Sequence, residues 1–353
     1  MEPMVVDADA NLRVARLIDA NLDRAREGLR VVEDWCRFGL DRDDLVLPLK
    51  DWRQRLGQQH HDRYRRARSS ATDVAAGLSH PAQAHRCSAP AIVKANASRV
   101  QEALRVLEEF GRNLDPDLAH TAAEIRYGLY DLEVRILEAC GRQDRWERLK
   151  ASQLCLITDP DRDNNLERLL DGVEAALRAG VSLVQYRRKQ GNDHQRLLEA
   201  LALKTLCSRF EALFIINDRI DLALLVDADG VHLGQDDLPL KEARQLLGPE
   251  RLLGRSTHCL KHLLTAQQEG ADYLGVGPVF ATATKRDRSP AGLHWVTEAS
   301  EHAALPWFAI GGIDATTIPS LRAAGAERIA VVSAIMGSHD PEAASRTLLQ
   351  ALS

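Results

Sequence analysis

Apolar side chains in the first part of the chain recur with the period of an α-helix. Leu22, Ala25, Leu29 and Val32 follow one another at intervals of three or four residues. Residues at these intervals share one face of a helix, which can then be buried against a neighbour. A further long helix is predicted near residues 122–140. We therefore expect this part of the chain to form an all-α bundle.

The helical part contains an internal repeat. The segment from Ala20 to Asp34 matches the segment from Ala95 to Glu109, and matched residues are 75 positions apart, as in Asn21 and Asn96. Both copies keep the same polar types at Asn21 and Asn96, Arg24 and Arg99, Glu27 and Glu102, Arg30 and Arg105, and Glu33 and Glu108. The repeat predicts two pseudo-symmetric helices. Two interpretations of the polar pairs stay open: ion pairs that support exposed helices, or a shared anion site lined by Asn21, Arg24, Asn96 and Arg99.

From Leu154 onward, short apolar strands alternate with amphipathic helices. Strands are predicted at Leu154–Ile157, Leu183–Tyr186, Leu213–Ile216, Gly230–His232, Leu252–Arg255, Tyr273–Val276, Trp307–Ile310 and Arg328–Val331. The intervening helices include Leu166–Ala179, Asp193–Phe210, Lys261–Glu269 and Pro319–Ala324. Eight such units over about 200 residues indicate a (β/α)8 TIM barrel. An open doubly wound sheet is the alternative, but no glycine-rich fingerprint follows the first strand.

These patterns predict two domains joined by a charged connector near residues 141–151. The helical domain is expected at residues 1–145 and the barrel domain at residues 151–353. The predicted fold class is therefore α/β, with a C-terminal TIM barrel preceded by an all-α helical bundle.

Composition narrows the class of protein. A formal charge of −5 argues against a general nucleic-acid binder. The segment from Met1 to Leu17 lacks the apolar core of a secretory signal, and no stretch is apolar enough to span a membrane. The six cysteines include no C-x-x-C pair, which is typical of free thiols in a reducing compartment. We expect a cytoplasmic protein with no nucleic-acid or membrane partner.

Two carboxylates follow successive strands of the predicted barrel. Asp218 comes directly after the third strand, and Asp237 follows the fourth. In a TIM barrel the carboxyl ends of all strands meet at one rim, where the active site lies. Paired carboxylates without thiolates or an imidazole cluster suit a hard cation, so the sequence predicts Mg²⁺ here.

Other rim residues predict two anion sites. Arg187, Lys189 and Lys285, together with the Mg²⁺ site, suit a pyrophosphate group. Gly311-Gly312 and Val332-Ser333 follow the seventh and eighth strands, where barrels commonly bind a phosphate.

The polar segment from Ala283 to Gly292 is long for a connection between strand and helix, and suits a mobile lid that carries Lys285. Two histidines end predicted strands. His232 is expected to pack at its strand end, whereas His258 beside Ser256 is a candidate for supporting the site.

Together these rim motifs resemble the thiamine-phosphate synthase family, over roughly residues 154–352. The family patterns Gln-x-Arg-x-Lys, Asn-Asp-Arg, Gly-Gln-acid-Asp, Ser-x-His, Thr-x-Thr-Lys and Gly-Gly-Ile begin here at Gln185, Asn217, Gly234, Ser256, Thr282 and Gly311. The resemblance implies a transferase that condenses 4-amino-2-methyl-5-hydroxymethylpyrimidine diphosphate with thiazole phosphate or its carboxylate. The products would be thiamine phosphate and pyrophosphate.

The resemblance also implies roles for individual residues. The pyrimidine diphosphate would be bound by Gln185, Tyr186, Arg187, Arg188, Lys189, Asn217, Ser256 and Lys285. The thiazole phosphate would be bound by Thr282, Ala283, Thr284, Gly312, Val332 and Ser333. Arg187, Ser256 and Lys285 would be catalytic, and Asp218 and Asp237 would hold Mg²⁺. Such a reaction needs a stabilised leaving group and no enzyme nucleophile, and the rim offers no Cys or Ser triad.

The helical part resembles a domain fused ahead of this synthase in some bacteria. Related domains have been proposed to phosphorylate hydroxymethylpyrimidine phosphate, which implies a kinase-like function. No G-x-x-x-x-G-K-[ST] loop occurs in the chain, so the usual ATP cradle is missing. A structural or channelling role stays open.

Two other functions stay open for the barrel. A related barrel isomerises thiazole carboxylate phosphate, but that reaction needs neither metal carboxylates nor a pyrophosphate site. A non-catalytic sensor of thiamine intermediates would bind these ligands without releasing pyrophosphate. The expected partners are small-molecule substrates, and a homo-oligomer is compatible with the sequence.

Overall fold

The computed structural model describes residues 8–69, 88–159, 164–281 and 290–353. The chain divides into two compact units, Met1–Gln143 and Asp144–Ser353. Within the described ranges, no helix is both long and apolar enough to cross a membrane.

The first unit is helical, as the apolar spacing predicts. Its helices are α1 (Ala8–Phe38), α2 (Asp43–Gln58), α3 (Asp62–Arg65), α4 (Ala89–Leu114) and α5 (Pro116–Ala151), the last of which extends beyond the unit. The two copies of the repeat lie on α1 and α4, which pack against each other. At Gly28 a Cβ atom would lie 2.5 Å from Cγ2 of Val100, so glycine permits the close approach of these helices. The core of the unit is formed by the predicted apolar faces, including Leu22, Leu29 and Leu104.

The charged connector predicted near residues 141–151 is helical, because α5 continues to Ala151. The boundary between the two units lies within this segment. The charges of the segment support the helix instead of interrupting it. Arg148 pairs with Asp144 at 3.2 Å, and Lys150 pairs with Glu147 at 3.0 Å. Charge pairs at i,i+3 and i,i+4 spacing are compatible with an exposed helix face, and the segment contains neither proline nor a helix-ending glycine after Gly141.

The second unit contains the predicted barrel. Its strands are β1 (Leu154–Ile157), β2 (Leu183–Tyr186), β3 (Leu213–Asn217), β4 (Gly230–Leu233), β5 (Leu252–Thr257), β6 (Tyr273–Val276), β7 (Trp307–Ile310) and β8 (Ile329–Val331). They are parallel neighbours in chain order, and β1 pairs with β8 to close the barrel. This confirms the predicted fold class and excludes the open doubly wound sheet.

Helices follow the strands around the barrel. They are α6 (Leu166–Arg178), α7 (Asp193–Arg209), α8 (Ile220–Leu225), α9 (Leu240–Leu247), α10 (Leu260–Gln268), α11 (Gly292–His302), α12 (Ile318–Ala323), α13 (Ser333–Met336) and α14 (Pro341–Leu352). Most predicted ends of strands and helices lie within one residue of the ends in the structure. Strand β5 extends two residues beyond its predicted end, so Ser256 belongs to a strand and has the fixed direction of a strand residue.

Alternation along the strands separates two apolar layers. On β2, Leu183 belongs to the cluster inside the barrel with Tyr273 and Phe308, whereas Val184 and Tyr186 belong to the layer shared with the helices. Successive side chains of a strand point to opposite faces. The same alternation decides which polar residues at the rim can reach the interior.

Candidate active site

A pocket opens among the carboxyl ends of the strands. It contains about 990 Å³ of space, part of it open to solvent. Its polar walls include Gln185, Arg187, Asn217, His232, Ser256, His258 and Ser333. Tyr273, Phe308, Ile310 and Ile313 contribute apolar surface. Such a mixture of apolar surface and a few convergent polar groups is typical of a small-molecule site.

The ends of β2 and β3 are joined by a side-chain hydrogen bond. Nε2 of Gln185 donates to Oδ1 of Asn217 over 2.8 Å. The backbone N–H of Arg187 donates to Oγ1 of the buried Thr158, over 3.0 Å. In the described part of the chain the side chain of Arg187 has no hydrogen-bond or ion-pair partner, and it lines the pocket. It is therefore available to an anionic ligand.

Beside this pocket, Asp218 and Asp237 form a carboxylate pair with one lysine. Nζ of Lys189 donates to Oδ2 of Asp218 over 2.5 Å. Oδ2 of Asp237 accepts from the N–H of Gly234 over 2.7 Å. Burial raises the pKa of Asp237 above its usual range, and the neighbouring Asp218 raises this pKa further. Two carboxylates that disfavour each other's charge are suited to a bound cation.

Asp218 has a left-handed backbone conformation, with φ of 63°. Its N–H donates to the carbonyl of His232 on β4 over 2.9 Å. Asp tolerates positive φ better than most residues, although the conformation is still uncommon. The turn directs the carboxylate toward Lys189 immediately after the strand ends.

The loop after β4 is tied to β5. Nε2 of Gln235 donates to the carbonyl of Ser256 over 2.6 Å, and Arg255 donates to the carbonyl of Leu238 over 3.1 Å. Nε2 of His232 and Oγ of Ser256 are 3.0 Å apart. These bonds hold the segment that contains Asp237 against the neighbouring strand.

A glycine pair forms the wall after β7. Gly311 and Gly312 have φ of 104° and 64°. A Cβ atom at Gly311 would lie 2.6 Å from Cβ of Pro278, and one at Gly312 would lie 2.5 Å from the carbonyl oxygen of Ala281. Both positions therefore require glycine for conformation and for space. Val332 and Ser333, after β8, line the same pocket.

The donor set fits a magnesium ion but not a fully enclosed metal site. In the described ranges, no group of three or more His, Cys, Asp or Glu side chains could hold a metal. Magnesium often takes one or two carboxylates and completes its shell with water and substrate phosphate oxygens. Asp218 and Asp237 supply two such carboxylates.

Comparisons with known proteins agree with this geometry. The family model described as "Thiamine monophosphate synthase" matches residues 154–335. The chain is 89% identical over 352 residues to the thiamine-phosphate synthase of Synechococcus sp. strain CC9311, with 100% of both chains covered. It is 62% identical to that of Prochlorococcus marinus strain MIT 9313, also over 100% of both chains. The chain belongs to the thiamine-phosphate synthase family.

A solved structure and a second family model match separate parts of the chain. The thiamine phosphate pyrophosphorylase from Pyrococcus furiosus is 34% identical, with a TM-score of 0.53. The match covers 58% of this chain and 96% of that one. A second family model, described as the "ThiD2 family", matches residues 16–135. The resemblance that the rim motifs indicate is therefore confirmed.

Many predicted site residues of this family member are brought together. Gln185, Arg187, Asn217, Ser256, Gly312, Val332 and Ser333 line one pocket. Lys189, Asp218 and Asp237 form the adjacent charged cluster. Their individual roles remain predictions.

Tyr186 and Arg188 are located away from the pocket. The hydroxyl of Tyr186 donates to Oε2 of Glu199 on α7 over 2.7 Å, and Nη1 of Arg188 donates to Oε1 of the same glutamate over 2.7 Å. Both side chains are almost fully buried. They alternate with Gln185 and Arg187, so they lie on the helix-facing side of β2 and its continuation. This arrangement favours a structural role for the pair over the predicted contact with substrate.

The predicted residues Thr282, Ala283, Thr284 and Lys285 lie outside the described residues. Most of the predicted lid, residues 283–292, also falls there.

His232 has a larger part in the pocket than the sequence indicated. It packs against Tyr273, with ring centroids 5.4 Å apart, and also contacts Ser256 and lines the pocket. The sequence motifs do not indicate Tyr273 as a site residue. Alternation on β4 and β6 is the signal that could have found both side chains, because it directs them into the barrel interior.

Proposed function

We propose that the barrel catalyses formation of thiamine phosphate from hydroxymethylpyrimidine diphosphate and thiazole phosphate, with release of pyrophosphate. The observation that carries this proposal is the carboxylate pair with Lys189, beside a pocket that has Arg187 at one side and Gly311-Gly312 in its wall. Family membership supports the same reaction, since full-length relatives carry the name of this synthase.

The diphosphate is assigned to the charged side of the site. Asp218 and Asp237 would hold Mg²⁺, and Arg187 and Lys189 would contact phosphate oxygens. When bound there, Mg²⁺ neutralises charge on the diphosphate and so makes it a better leaving group. Lys189 already contacts Asp218 at 2.5 Å, which fixes its ammonium group beside the carboxylates. We also assign Lys285 to the diphosphate, on the motif alone.

The pyrimidine ring is assigned to the polar groups at the ends of β2, β3 and β5. Gln185 and Asn217 are fixed by their mutual hydrogen bond, and each amide keeps other polar atoms for a heterocycle. Ser256 is held near His232 and suits a positioning hydrogen bond. We assign no nucleophilic attack to it, because the reaction has a good leaving group.

The thiazole phosphate is assigned to the wall formed by Gly312, Val332 and Ser333. Thr282, Ala283 and Thr284 are assigned to the same ligand from the sequence motif. Backbone without side chains at Gly311-Gly312 allows close approach of a phosphate. The phosphate would hold the thiazole nitrogen near the pyrimidine methylene carbon.

The bond changes follow from this arrangement. The methylene C–O bond breaks, and its electron pair leaves with pyrophosphate. The electron-rich aminopyrimidine supports the positive charge that develops on the methylene carbon. The thiazole nitrogen donates its lone pair to form the new C–N bond. Arg187 and Lys189 stabilise the charge of the departing group.

The charged cluster also separates this proposal from its alternatives. An isomerase acting on thiazole carboxylate phosphate would have no use for Lys189 beside Asp218 and Asp237. A sensor would bind both ligands without turnover. Release of pyrophosphate from the two substrates therefore distinguishes the synthase from both.

The test is pyrophosphate release by the full chain with both substrates and Mg²⁺. We expect Asp218→Asn to lower kcat/KM by about 100-fold or more, as loss of an electrostatic contact to a leaving group does. EDTA should abolish wild-type activity, and excess Mg²⁺ should restore it.

Asp227→Asn is the matched control for that experiment. Asp227 also has positive φ, at 51°, but it pairs with Arg251 on the surface. The control should retain wild-type kcat/KM. Undiminished turnover by Asp218→Asn would contradict the metal role of this carboxylate.

We also propose a cytoplasmic location. In the described ranges, Cys36, Cys155, Cys207 and Cys259 are free thiols, and the first three are buried. Unpaired thiols are typical of a reducing compartment.

A further inference from the structure

A second pocket lies in the helical unit, between α1 and α4. It contains about 1210 Å³ of space, part of it open to solvent. Its ten lining residues are Asn21, Arg24, Glu27, Gly28, Val31, Asn96, Arg99, Glu102, Ala103 and Val106. Every one of them belongs to a matched pair of the internal repeat, such as Val31 with Val106. The pocket, named here the repeat groove, therefore has walls with pseudo-twofold symmetry.

Other repeated charges are explained by ion pairs. Arg30 pairs with Asp34 at 2.9 Å, and Arg105 pairs with Glu109 at 2.7 Å. The buried Glu33 pairs with Arg53 at 2.8 Å. Its counterpart Glu108 pairs with Arg126 at 2.9 Å. For these residues the interpretation of the repeat as ion-pair support is sufficient.

The charges of the repeat groove have no such explanation. Arg24, Arg99, Glu27 and Glu102 are exposed, and within the described ranges none has a hydrogen-bond or ion-pair partner. Two cations and two anions line one groove without pairing with each other. Neither packing nor local ion pairing accounts for keeping the same charges in both copies.

The two asparagines are buried in the groove walls. Asn21 and Asn96 are 5% and 8% exposed. Nδ2 of each donates to the carbonyl four residues earlier in its own helix, at 2.9 Å and 2.8 Å respectively. Each Oδ1 has no partner among the described residues. The helices thus hold two equivalent acceptors in fixed positions.

We propose that the repeat groove binds the diphosphate group of a small molecule together with a divalent cation. Arg24 and Arg99 contact the two phosphates, since guanidinium groups form strong, directional bonds to phosphate oxygens. Glu27 and Glu102 bind the cation, either directly or through water molecules. Without the cation, the negative charges of the two glutamates would repel the diphosphate.

Symmetry selects the diphosphate among phosphate ligands. The two arginines occupy equivalent positions on two helices, and so do the two glutamates. A diphosphate group presents two linked phosphates, one for each arginine, and a divalent cation would neutralise part of their charge. The ligand therefore matches the paired charges of the groove. The proposal concerns the helical unit and does not depend on the activity of the barrel.

The test is calorimetric titration of the full chain with inorganic pyrophosphate in the presence of Mg²⁺. Lys189→Met with Asp218→Asn serves as the background, so that binding at the barrel does not obscure the groove. In this background we expect one saturable site. Arg24→Gln with Arg99→Gln should weaken it by at least about tenfold, the loss expected for one charge-assisted bond.

The proposed role of Glu27 and Glu102 is tested by measuring how pyrophosphate binding depends on Mg²⁺. Without Mg²⁺, pyrophosphate should bind the background chain at least about tenfold more weakly, because the groove then presents uncompensated carboxylates. Glu27→Gln with Glu102→Gln should remove most of this dependence on Mg²⁺. Orthophosphate should bind more weakly than pyrophosphate.

Arg30→Gln with Arg105→Gln is the matched control. These arginines are repeat partners on the same two helices, but they lie outside the groove. The change in net charge is the same, so the control should keep wild-type affinity. Circular dichroism melting curves would establish that all variants fold.

Three outcomes would overturn the proposal: absence of binding in the background chain, equal weakening by groove and control variants, or affinity independent of Mg²⁺. A groove that instead joins two copies of the chain would give the first outcome, with a change of elution volume in the groove variants. Pyrophosphate release by the barrel is measured separately, so failure of one proposal leaves the other intact.

Discussion

Gly311 and Gly312 decide the shape of the pocket wall at the scale of single residues. Their positive φ angles and the short distances to Pro278 and Ala281 leave no room for a Cβ atom. The sequence indicates a turn and a phosphate site at this position. The distances show in addition that even one methyl group would displace the pocket wall. The atom nearest to a Cβ placed on Gly312 is a backbone oxygen, which cannot move aside as a flexible side chain can.

Gly312→Ala should therefore impair use of thiazole phosphate. We expect kcat/KM for this substrate to fall by at least about tenfold, since small displacements in a positioned site are costly. Steady-state kinetics with each substrate varied in turn would measure the change. The effect should be larger for thiazole phosphate than for the pyrimidine diphosphate.

Gly270→Ala provides the control for backbone strain. Gly270 has φ of 86°, and a Cβ atom there would have nothing within 4 Å. Both variants should lose about 1–2 kcal/mol of unfolding free energy from the left-handed conformation. Equal kinetic effects of the two substitutions would refute a specific role for the wall.

At the scale of an element, α5 depends on one buried aspartate at its start. Oδ1 of Asp115 accepts from the N–H of Leu118 over 3.2 Å, and Pro116 occupies the first helical position. Oδ2 of Asp115 accepts from the hydroxyl of Tyr64 over 2.7 Å and from Arg63 over 2.5 Å. The aspartate thus caps the helix and joins it to α3.

We expect Asp115→Ala to lower the unfolding free energy of the protein by about 2 kcal/mol or more. The cap contributes about 1 kcal/mol, and the buried hydroxyl of Tyr64 would lose its acceptor. Chemical denaturation measures the loss. Asp117→Ala is the control, because Asp117 is exposed in the same helical turn. An equal loss in both variants would exclude the capping role.

The same aspartate predicts a pH dependence. Burial acts to raise the pKa of Asp115, but Tyr64, the N–H of Leu118 and Arg63 together hold it below its usual value of 3.8. The carboxyl group of Asp115 therefore binds a proton more tightly in the unfolded chain than in the folded one. Its stabilisation of the fold is complete above the unfolded-state pKa and is lost as the pH falls through the folded-state pKa.

Comparison of the wild type with Asp115→Asn between about pH 6 and pH 3 tests this sign. The difference in unfolding free energy should shrink toward acid pH. A difference that grows toward acid pH would contradict the direction of the shift.

At the scale of the whole molecule, two family models match successive parts of one chain. Residues 16–135 match the ThiD2 family, and residues 154–335 match the synthase family. The division into a helical domain at residues 1–145 and a barrel domain at residues 151–353 remains a proposal. The separate function of the helical domain is a proposal as well. We propose a kinase-like activity for the helical domain that supplies the substrate of the barrel.

The full chain carrying Asp218→Asn is suited to test this activity, because the barrel would no longer consume the product. With ATP, Mg²⁺ and hydroxymethylpyrimidine monophosphate, we expect ADP formation that requires the pyrimidine. Coupled detection of ADP measures it, with the pyrimidine omitted as control. Absence of ADP formation would favour the structural or channelling role instead.

Much of the barrel site could be predicted from the sequence. Asp218, Asp237 and Gly311 follow short apolar segments, and the ends of parallel strands meet at one rim. Local alternation could also have excluded Tyr186 and Arg188 from the pocket, because it directs them toward α7. The sequence did not show that the predicted connector is helical, because charged residues occur on an exposed helix as readily as in an irregular linker.

The sequence by itself determined the order of the elements, the closed barrel and the repeated side chains of the helical part, since these follow from local periodicity and matched residues. Only the tertiary structure decided that Arg30 and Arg105 pair with neighbouring acids while Arg24 and Arg99 line a common groove. All four are exposed arginines on equivalent helices, so composition cannot separate them. The packing of α1 against α4 does so, because it determines which side chains face one another across the two helices.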